Sequence, residues 1–296
     1  MKIFLTGKNG QLGHRLENDL KKNHEVIAVG RDTLDLTNVQ LIESKIHQVK
    51  PSLIINAAAY TNVDKAEKEK GLAYKVNALA PKALAEVAKA LDIPIIHIST
   101  DYIFDGLKKD AYVEEDQAKP LSVYGETKWQ GEVFVRQSPK HFILRTSWVF
   151  SSRGHNFLNT IIKLSKEKTV LNVINDQWGS PTSVRTISKA INVIINRLTQ
   201  ENDAELYGTY HISCKGAVSR YLYASLILDI LGSLNVNLSL KKTDLHPVSL
   251  DQYPSFSNKP KNSSLNSKKF RKVFKVKFRG LEKEIEETIY EIIKTS

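Results

Sequence analysis

Lys2-Ile3-Phe4-Leu5-Thr6-Gly7-Lys8-Asn9-Gly10-Gln11-Leu12-Gly13 is the stretch that decides the fold. Ile3-Phe4-Leu5 is an unbroken apolar run and reads as a short buried strand. Gly7, Gly10 and Gly13 follow at once, and Leu12, Leu16 and Leu20 then recur at helical spacing. Strand, glycine turn and helix in that order is the context a dinucleotide fingerprint requires. Glycines let the backbone approach a pyrophosphate, and the first N–H groups of the helix are free to bind it. The spacing is G-x-x-G-x-x-G rather than G-x-G-x-x-G. Gly7, Gly10, Gln11, Leu12 and Gly13 are the cofactor-binding candidates of this turn.

Working outward, Glu25 to Val29 reads as a second strand that ends at Gly30-Arg31-Asp32. The end of this strand meets the adenosine ribose in such folds. An arginine there suits a 2′-phosphate and an acid suits a free 2′-hydroxyl. Arg31 and Lys8 therefore point to NADP, and Asp32 keeps NAD as the alternative. Asp35 and Leu36 read as a loop against the adenine, with Thr37 or Asn38 capping the next helix. Leu53 to Asn56 is a third strand, and Ala57, Ala58, Ala59 and Tyr60 at its end let a flat cofactor lie close. A helical pattern follows over 71–91, then a strand from Ile95 to Ile98, and another over Phe142 to Leu144. Strands alternating with helices predict an α/β protein with a Rossmann-like, doubly wound parallel sheet, its ligands at the strand C-terminal ends. Thr100 lies at such an end.

Tyr124-Gly125-Glu126-Thr127-Lys128 places a phenol and an ammonium one helical turn apart on the same face. A free tyrosine holds its proton to about pH 10. A nearby ammonium stabilises the phenolate and makes the phenol a usable acid. Tyr124, Lys128 and Thr100 are the catalytic candidates.

These motifs together resemble the extended short-chain dehydrogenase/reductase superfamily. More narrowly, the chain is similar to the dTDP-4-dehydrorhamnose reductase family. The residues that carry this likeness are Gly10 to Gly13, Asn56 to Asp64 (NAAAYTNVD), Ser99 to Gly106 (STDYIFDG) and Tyr124 to Lys128. Further on they are Arg145 to Phe150 (RTSWVF), Gly154-His155-Asn156-Phe157 and Asp176 to Thr182 (DQWGSPT). Two positions depart from the pattern: Arg220 stands where the family carries tryptophan, and Lys259-Pro260 stands for Arg-Pro. The resemblance implies an NADPH-dependent reductase of a nucleotide-linked 4-keto-6-deoxy sugar. In it, Tyr124 gives a proton to the O4 alkoxide, Lys128 also holds the nicotinamide ribose, and Thr100 hydrogen-bonds the carbonyl. Tyr124 and Lys128 thus count among the cofactor-binding residues too. Thr100, Asp101, Trp148, Asn156 and Lys259 are implied on the substrate. No metal is expected. The same superfamily holds sugar-nucleotide epimerases and dehydratases. It also resembles the regulatory beta subunit of methionine adenosyltransferase, a non-catalytic alternative. The intact Thr100, Tyr124 and Lys128 favour an enzyme.

Residues 1–150 are expected to form the dinucleotide-binding domain, and 151–296 mainly a smaller C-terminal substrate-binding lobe, with the chain crossing between the two. Helical patterns over Asn156 to Lys166, Thr186 to Leu198 and Tyr221 to Leu231, a strand from Gly208 to Ile212, and the stripe Leu281, Ile285, Ile289, Ile292 are assigned to that lobe. The Pro-, Ser- and Asn-rich stretch 244–266 reads as a loop over a site. One cysteine, Cys214, excludes an intrachain disulfide and suits a reducing, cytoplasmic setting. No signal-like or membrane-spanning run is expected. The net charge is +11, and Lys259 to Arg279 holds nine basic residues and no acid. Such a run attracts phosphates. The expected partner is the nucleotide sugar rather than a membrane or nucleic acid, and a homodimer is left open.

Overall fold

The computed structural model describes residues 1–200, 204–252 and 257–295. Along the chain run β1 (Lys2–Thr6), α1 (Gln11–Leu20), β2 (Glu25–Val29), α2 (Val39–Val49), β3 (Leu53–Asn56), α3 (Ala80–Ala90), β4 (Ile95–Thr100), α4 (Val123–Val135) and β5 (His141–Thr146). They are followed by α5 (Phe157–Glu167), α6 (Val184–Gln200), β6 (Gly208–Ile212), α7 (Arg220–Ser233) and α8 (Leu281–Thr295). The six strands form one sheet in the order β6-β5-β4-β3-β1-β2. Every neighbouring pair is parallel.

Parallel strands covered on both faces read as apolar runs because both rows of side chains are buried. In β1, Ile3 and Leu5 pack with α1 and α6, while Phe4 packs on the opposite face with α2 and α3. The chain leaves β1 for β2 on one side and returns as β3 on the other. That reversal opens a crevice at the strand C-terminal ends, between β1 and β3. The doubly wound α/β architecture read from the sequence is the one observed.

Segments of the second half divide between two cores. The strand Gly208–Ile212 pairs with β5 as the edge of the main sheet. Its Tyr210 and Ile212, with much of α6, belong to the first core. A second core forms where α5, α7 and α8 bury Leu158, Ile161, Tyr223, Ile227, Leu281, Ile285 and Ile289. Small strand pairs flank it, Val149–Phe150 with Thr182–Ser183 and Leu171–Ile174 with Leu245–Val248. Of the stretch 244–266, residues 253–256 lie outside the described residues.

The single helix expected over 71–91 is three pieces: a short helix Lys70–Tyr74, a π turn Lys75–Leu79, and α3. Asn77 in the π turn is fully buried. Its amide accepts from the Tyr60 N–H at 2.8 Å and donates to the Tyr60 carbonyl at 3.1 Å and to Thr127 Oγ1 at 3.2 Å. The turn thereby joins the loop after β3 to the helix that carries Tyr124.

Candidate active site

The glycine turn is shaped by close approach. Gly7 has φ +81°, and a Cβ there would stand 2.8 Å from the Ala57 carbonyl carbon and the Ala58 nitrogen. Only glycine lets the end of β1 press on the loop after β3. Gly10 caps α1 without a side chain, so the first N–H groups of that helix receive no side-chain cap. Backbone donors at the positive end of a ten-residue helix, opening on the switch-point crevice, fit a pyrophosphate. Gln11, Leu12 and Gly13 form its first turn. The half-buried Ala57, Ala58, Ala59 and Tyr60 lie across from it.

At the end of β2, Asp32 accepts from Lys8 Nζ at 3.0 Å and from Asn9 Nδ2 at 3.2 Å. The Lys8 hydrogen bond holds its carboxyl below the ordinary value. Lys8, expected beside Arg31 on a 2′-phosphate, thus neutralises Asp32 instead. Arg31 is exposed and makes no ion pair among the described residues. Asp35 turns its carboxylate back onto the N–H and hydroxyl of Thr37, both at 2.9 Å, while Leu36 is half-buried beside it. Asn38 caps α2 through the Leu41 N–H.

β4 continues past Ile98 and delivers Thr100 to the crevice. Ser122 caps α4 through the Gly125 N–H, which fixes where Tyr124 enters. Gly125 packs on the Tyr102 backbone, where a Cβ has no room. The Tyr124 ring meets the Tyr102 ring edge-on, centroids 5.6 Å apart. Burial pushes the Tyr124 phenol above its ordinary value, a rise that the neighbouring Thr100 hydroxyl opposes. Burial likewise pushes Tyr102 up to about 12. The pull of Lys128 on Tyr124 expected from their spacing is not among the causes of that shift. The reason is geometric. Lys128 Nζ turns into the sheet, donates to the Ile98 carbonyl at 2.6 Å and lies 3.4 Å from His97 Nε2. Burial lowers Lys128 to about 8.

The other expected residues fall in different places. Asp101 is 1% exposed, receives the Ser147 hydroxyl at 2.7 Å and is raised by burial. Trp148 adopts φ +44°, and the Arg220 guanidinium covers its ring at 3.5 Å from the centroid. Trp148 therefore has one face already stacked. Arg220 also reaches the Phe157 ring and donates to Gln177 Oε1 at 3.3 Å. Asn156 caps α5 and donates to Gln11 Oε1 at 2.8 Å, on the first turn of α1. Lys259 lies 3.7 Å from Asp64, across the loop after β3.

The sequence reading places neither Asn77 nor His97 at the site, and it names Arg220 only as a departure from the family's tryptophan. His97 is a lone polar residue in the apolar run Ile95-Ile96-His97-Ile98, and Asn77 interrupts a helical apolar pattern. Those interruptions were the available signals. Behind the site, Arg145 and Glu132 form a buried ion pair, Nε to Oε1 at 3.0 Å and Nη2 to Oε2 at 2.9 Å. Ser99 donates to the same carboxylate. The pair clamps α4 to β5.

The family described as "RmlD substrate binding domain" matches residues 1–293. A curated dTDP-4-dehydrorhamnose reductase of Sinorhizobium fredii is 36% identical over 294 residues, 99% of this chain and 98% of that protein. The chain belongs to the dTDP-4-dehydrorhamnose reductase family. Solved structures of that family superpose over nearly the whole length. The dTDP-4-dehydrorhamnose reductase of Clostridium acetobutylicum is 38% identical, with a TM-score of 0.89, covering 99% of this chain and all of the other. That of Bacillus anthracis, solved in complex with NADP, is 34% identical with a TM-score of 0.87, covering 98% of this chain and 99% of the other. Among the described residues of this dTDP-4-dehydrorhamnose reductase family member, no helix is long and apolar enough to cross a membrane.

Proposed function

We propose that this chain is a cytoplasmic, NADPH-dependent reductase that converts dTDP-4-dehydro-L-rhamnose to dTDP-L-rhamnose. The observation that carries the reading is the Tyr124 phenol, buried beside Thr100 and one helical turn from Lys128, in a chain of this family. NADPH, when bound, supplies the hydride to C4. Gly7, Gly10 and the first turn of α1 hold the pyrophosphate, and Arg31 meets the 2′-phosphate. Burial keeps the Tyr124 hydroxyl protonated at neutral pH, so it has a proton to give to the oxygen that becomes the C4 alkoxide. Thr100, whose hydroxyl otherwise goes to Asp101, turns to offer a hydrogen bond to the same oxygen as charge builds on it. Lys128, at the base of the tyrosine helix, holds the nicotinamide ribose.

In this reading, residues 1–150 together with β6 bind the dinucleotide. The second core, between 151 and 296, carries the sugar nucleotide.

The test is NADPH oxidation with dTDP-4-dehydro-L-rhamnose, followed by absorbance. Wild type should turn over, and Tyr124→Phe should lose about 10²–10⁴-fold in kcat with its KM for NADPH nearly unchanged. An inactive wild type overturns the substrate assignment. A Tyr124→Phe enzyme with wild-type kcat overturns the role of Tyr124.

A further inference from the structure

Arg220 is a cation without an acid to balance it. It is the first residue of α7 and is half-buried. Its Nε donates to Gln177 Oε1 at 3.3 Å, and its backbone N–H donates to the Gln177 carbonyl at 3.1 Å. No carboxylate forms an ion pair with it among the described residues. Asp101 supports the charge only from beyond ion-pair reach, and its carboxylate already accepts the Ser147 and Thr100 hydroxyls. A guanidinium stays charged in a protein, and taking it out of water without a counter-charge is costly. Lys259, the other cation expected on the substrate, has Asp64 at 3.7 Å.

The setting holds this cation still. Gln177 is 3% exposed, and its Nε2 reaches the Pro260 carbonyl at 3.5 Å. The side chain that orients Arg220 is thus tied to the segment that carries Lys259. Under the guanidinium, the Trp148 ring is pinned against Gly179, where a Cβ would stand 2.3 Å from the indole. Ser219 caps α7 through the Leu222 N–H, and the positive end of this 14-residue helix adds to the charge. With Nε committed to Gln177, the two terminal nitrogens remain. They form the fork that binds phosphate oxygens in pairs.

Arg220 stands one ring away from Tyr124. The Tyr102 phenol feels the Arg220 charge, and the Tyr102 ring meets the Tyr124 ring edge-on. C1 and C4 are opposite corners of a pyranose. With O4 at Tyr124, the diphosphate on C1 leaves from the far side of the sugar. It is the anionic group of such a substrate.

We propose that Arg220 grips the diphosphate of the sugar nucleotide, its terminal nitrogens donating to phosphate oxygens while Trp148 and Gln177 hold the fork in place. The proposal rests on the reductase reading for the position of the sugar. Tryptophan, which the family carries at this position, supplies no charge, so the contact is one that this chain adds.

The test is titration of the NADPH-saturated protein with dTDP and, separately, with thymidine, which lacks the diphosphate. Arg220→Met keeps an apolar stem over the ring and removes the charge. Its affinity for dTDP should fall about ten- to a hundredfold, the equivalent of one charge-assisted hydrogen bond, while thymidine binds as it does to wild type. Arg220→Trp, the residue of the family, should lose the same preference for dTDP. Arg220→Lys, a point charge without the fork, should keep part of it. A role confined to holding Trp148 would weaken both ligands alike, and that result overturns the proposal. So does an unchanged dTDP affinity in Arg220→Met, or an equal fall in NADPH affinity, which would put Arg220 on the cofactor. Binding is read without turnover. A wild type that binds dTDP through Arg220 but does not reduce the 4-keto sugar refutes the reductase reading and leaves this contact standing.

Discussion

Asp32 accepts hydrogen bonds from Lys8 and Asn9, while Arg31 beside it is exposed with no ion pair among the described residues. In sequence the two neighbours argue for opposite cofactors. What separates them is Lys8, 24 positions away, which β1 and β2 bring together by running side by side. Arg31→Ala should therefore raise the KM for NADPH by about ten- to a hundredfold, the equivalent of one charge-assisted hydrogen bond, and leave that for NADH nearly unchanged. Steady-state kinetics with both cofactors decide it. Equal effects would mean that Arg31 touches something the two share, and the assignment to the 2′-phosphate would be wrong. The pairing of Tyr124 with Lys128 shows the converse limit of reading single residues. Their spacing was legible and their shared helix face follows from it. The direction in which Lys128 turns was not, because it depends on His97 and the Ile98 carbonyl one layer below.

The elements themselves were easier to read where burial is two-sided. β1 and β3 carry short apolar runs bounded by turn residues, and their observed ends match the pattern. The π turn Lys75–Leu79 was not legible, since periodicity alone cannot register one extra residue in a helix. Its reason is Asn77, which completes the Tyr60 backbone pair on one side and holds Thr127 on the other. Gly131 on α4 packs directly on the Asn77 carbonyl. Asn77→Ala would leave the Tyr60 N–H and carbonyl with no partner from this side chain in a half-buried place. The expected loss is about 1–3 kcal/mol in urea-monitored unfolding. Tyr60 belongs to the cofactor loop, so NADPH affinity should fall with it. A variant as stable as wild type would show that the π turn is held by packing alone.

At the scale of the whole molecule, the charge of +11 is gathered on a segment that turns out to have two faces. Phe274 and Phe278 each stack on Phe270, and Phe270 and Phe274 also pack against Tyr210 of the edge strand. The basic residues between them are therefore turned outward by the docking of the aromatic ones. Lys269 pairs with Glu115 at 3.4 Å, and Lys268 and Lys272 are exposed. In sequence the alternation of cations and phenylalanines showed only the charge. Its structural half needed the edge strand, whose pairing with β5 joins segments more than sixty residues apart and leaves no local trace. Lys259 is different, since it is half-buried and lies over the loop after β3 beside Asp64. Direct ion pairing reaches only about 4 Å, so few of these cations can serve one diphosphate. Lys259→Ala should raise the KM for the sugar nucleotide several-fold. Neutralising Lys268, Lys269, Arg271 and Lys272 together should change it little. Titration against random duplex DNA from about 50 to 200 mM salt provides the contrasting measurement, because binding through many phosphates weakens steeply over that range. Tight, salt-sensitive binding, with an unchanged KM in Lys259→Ala, would assign the segment to a polyanionic partner instead of the substrate.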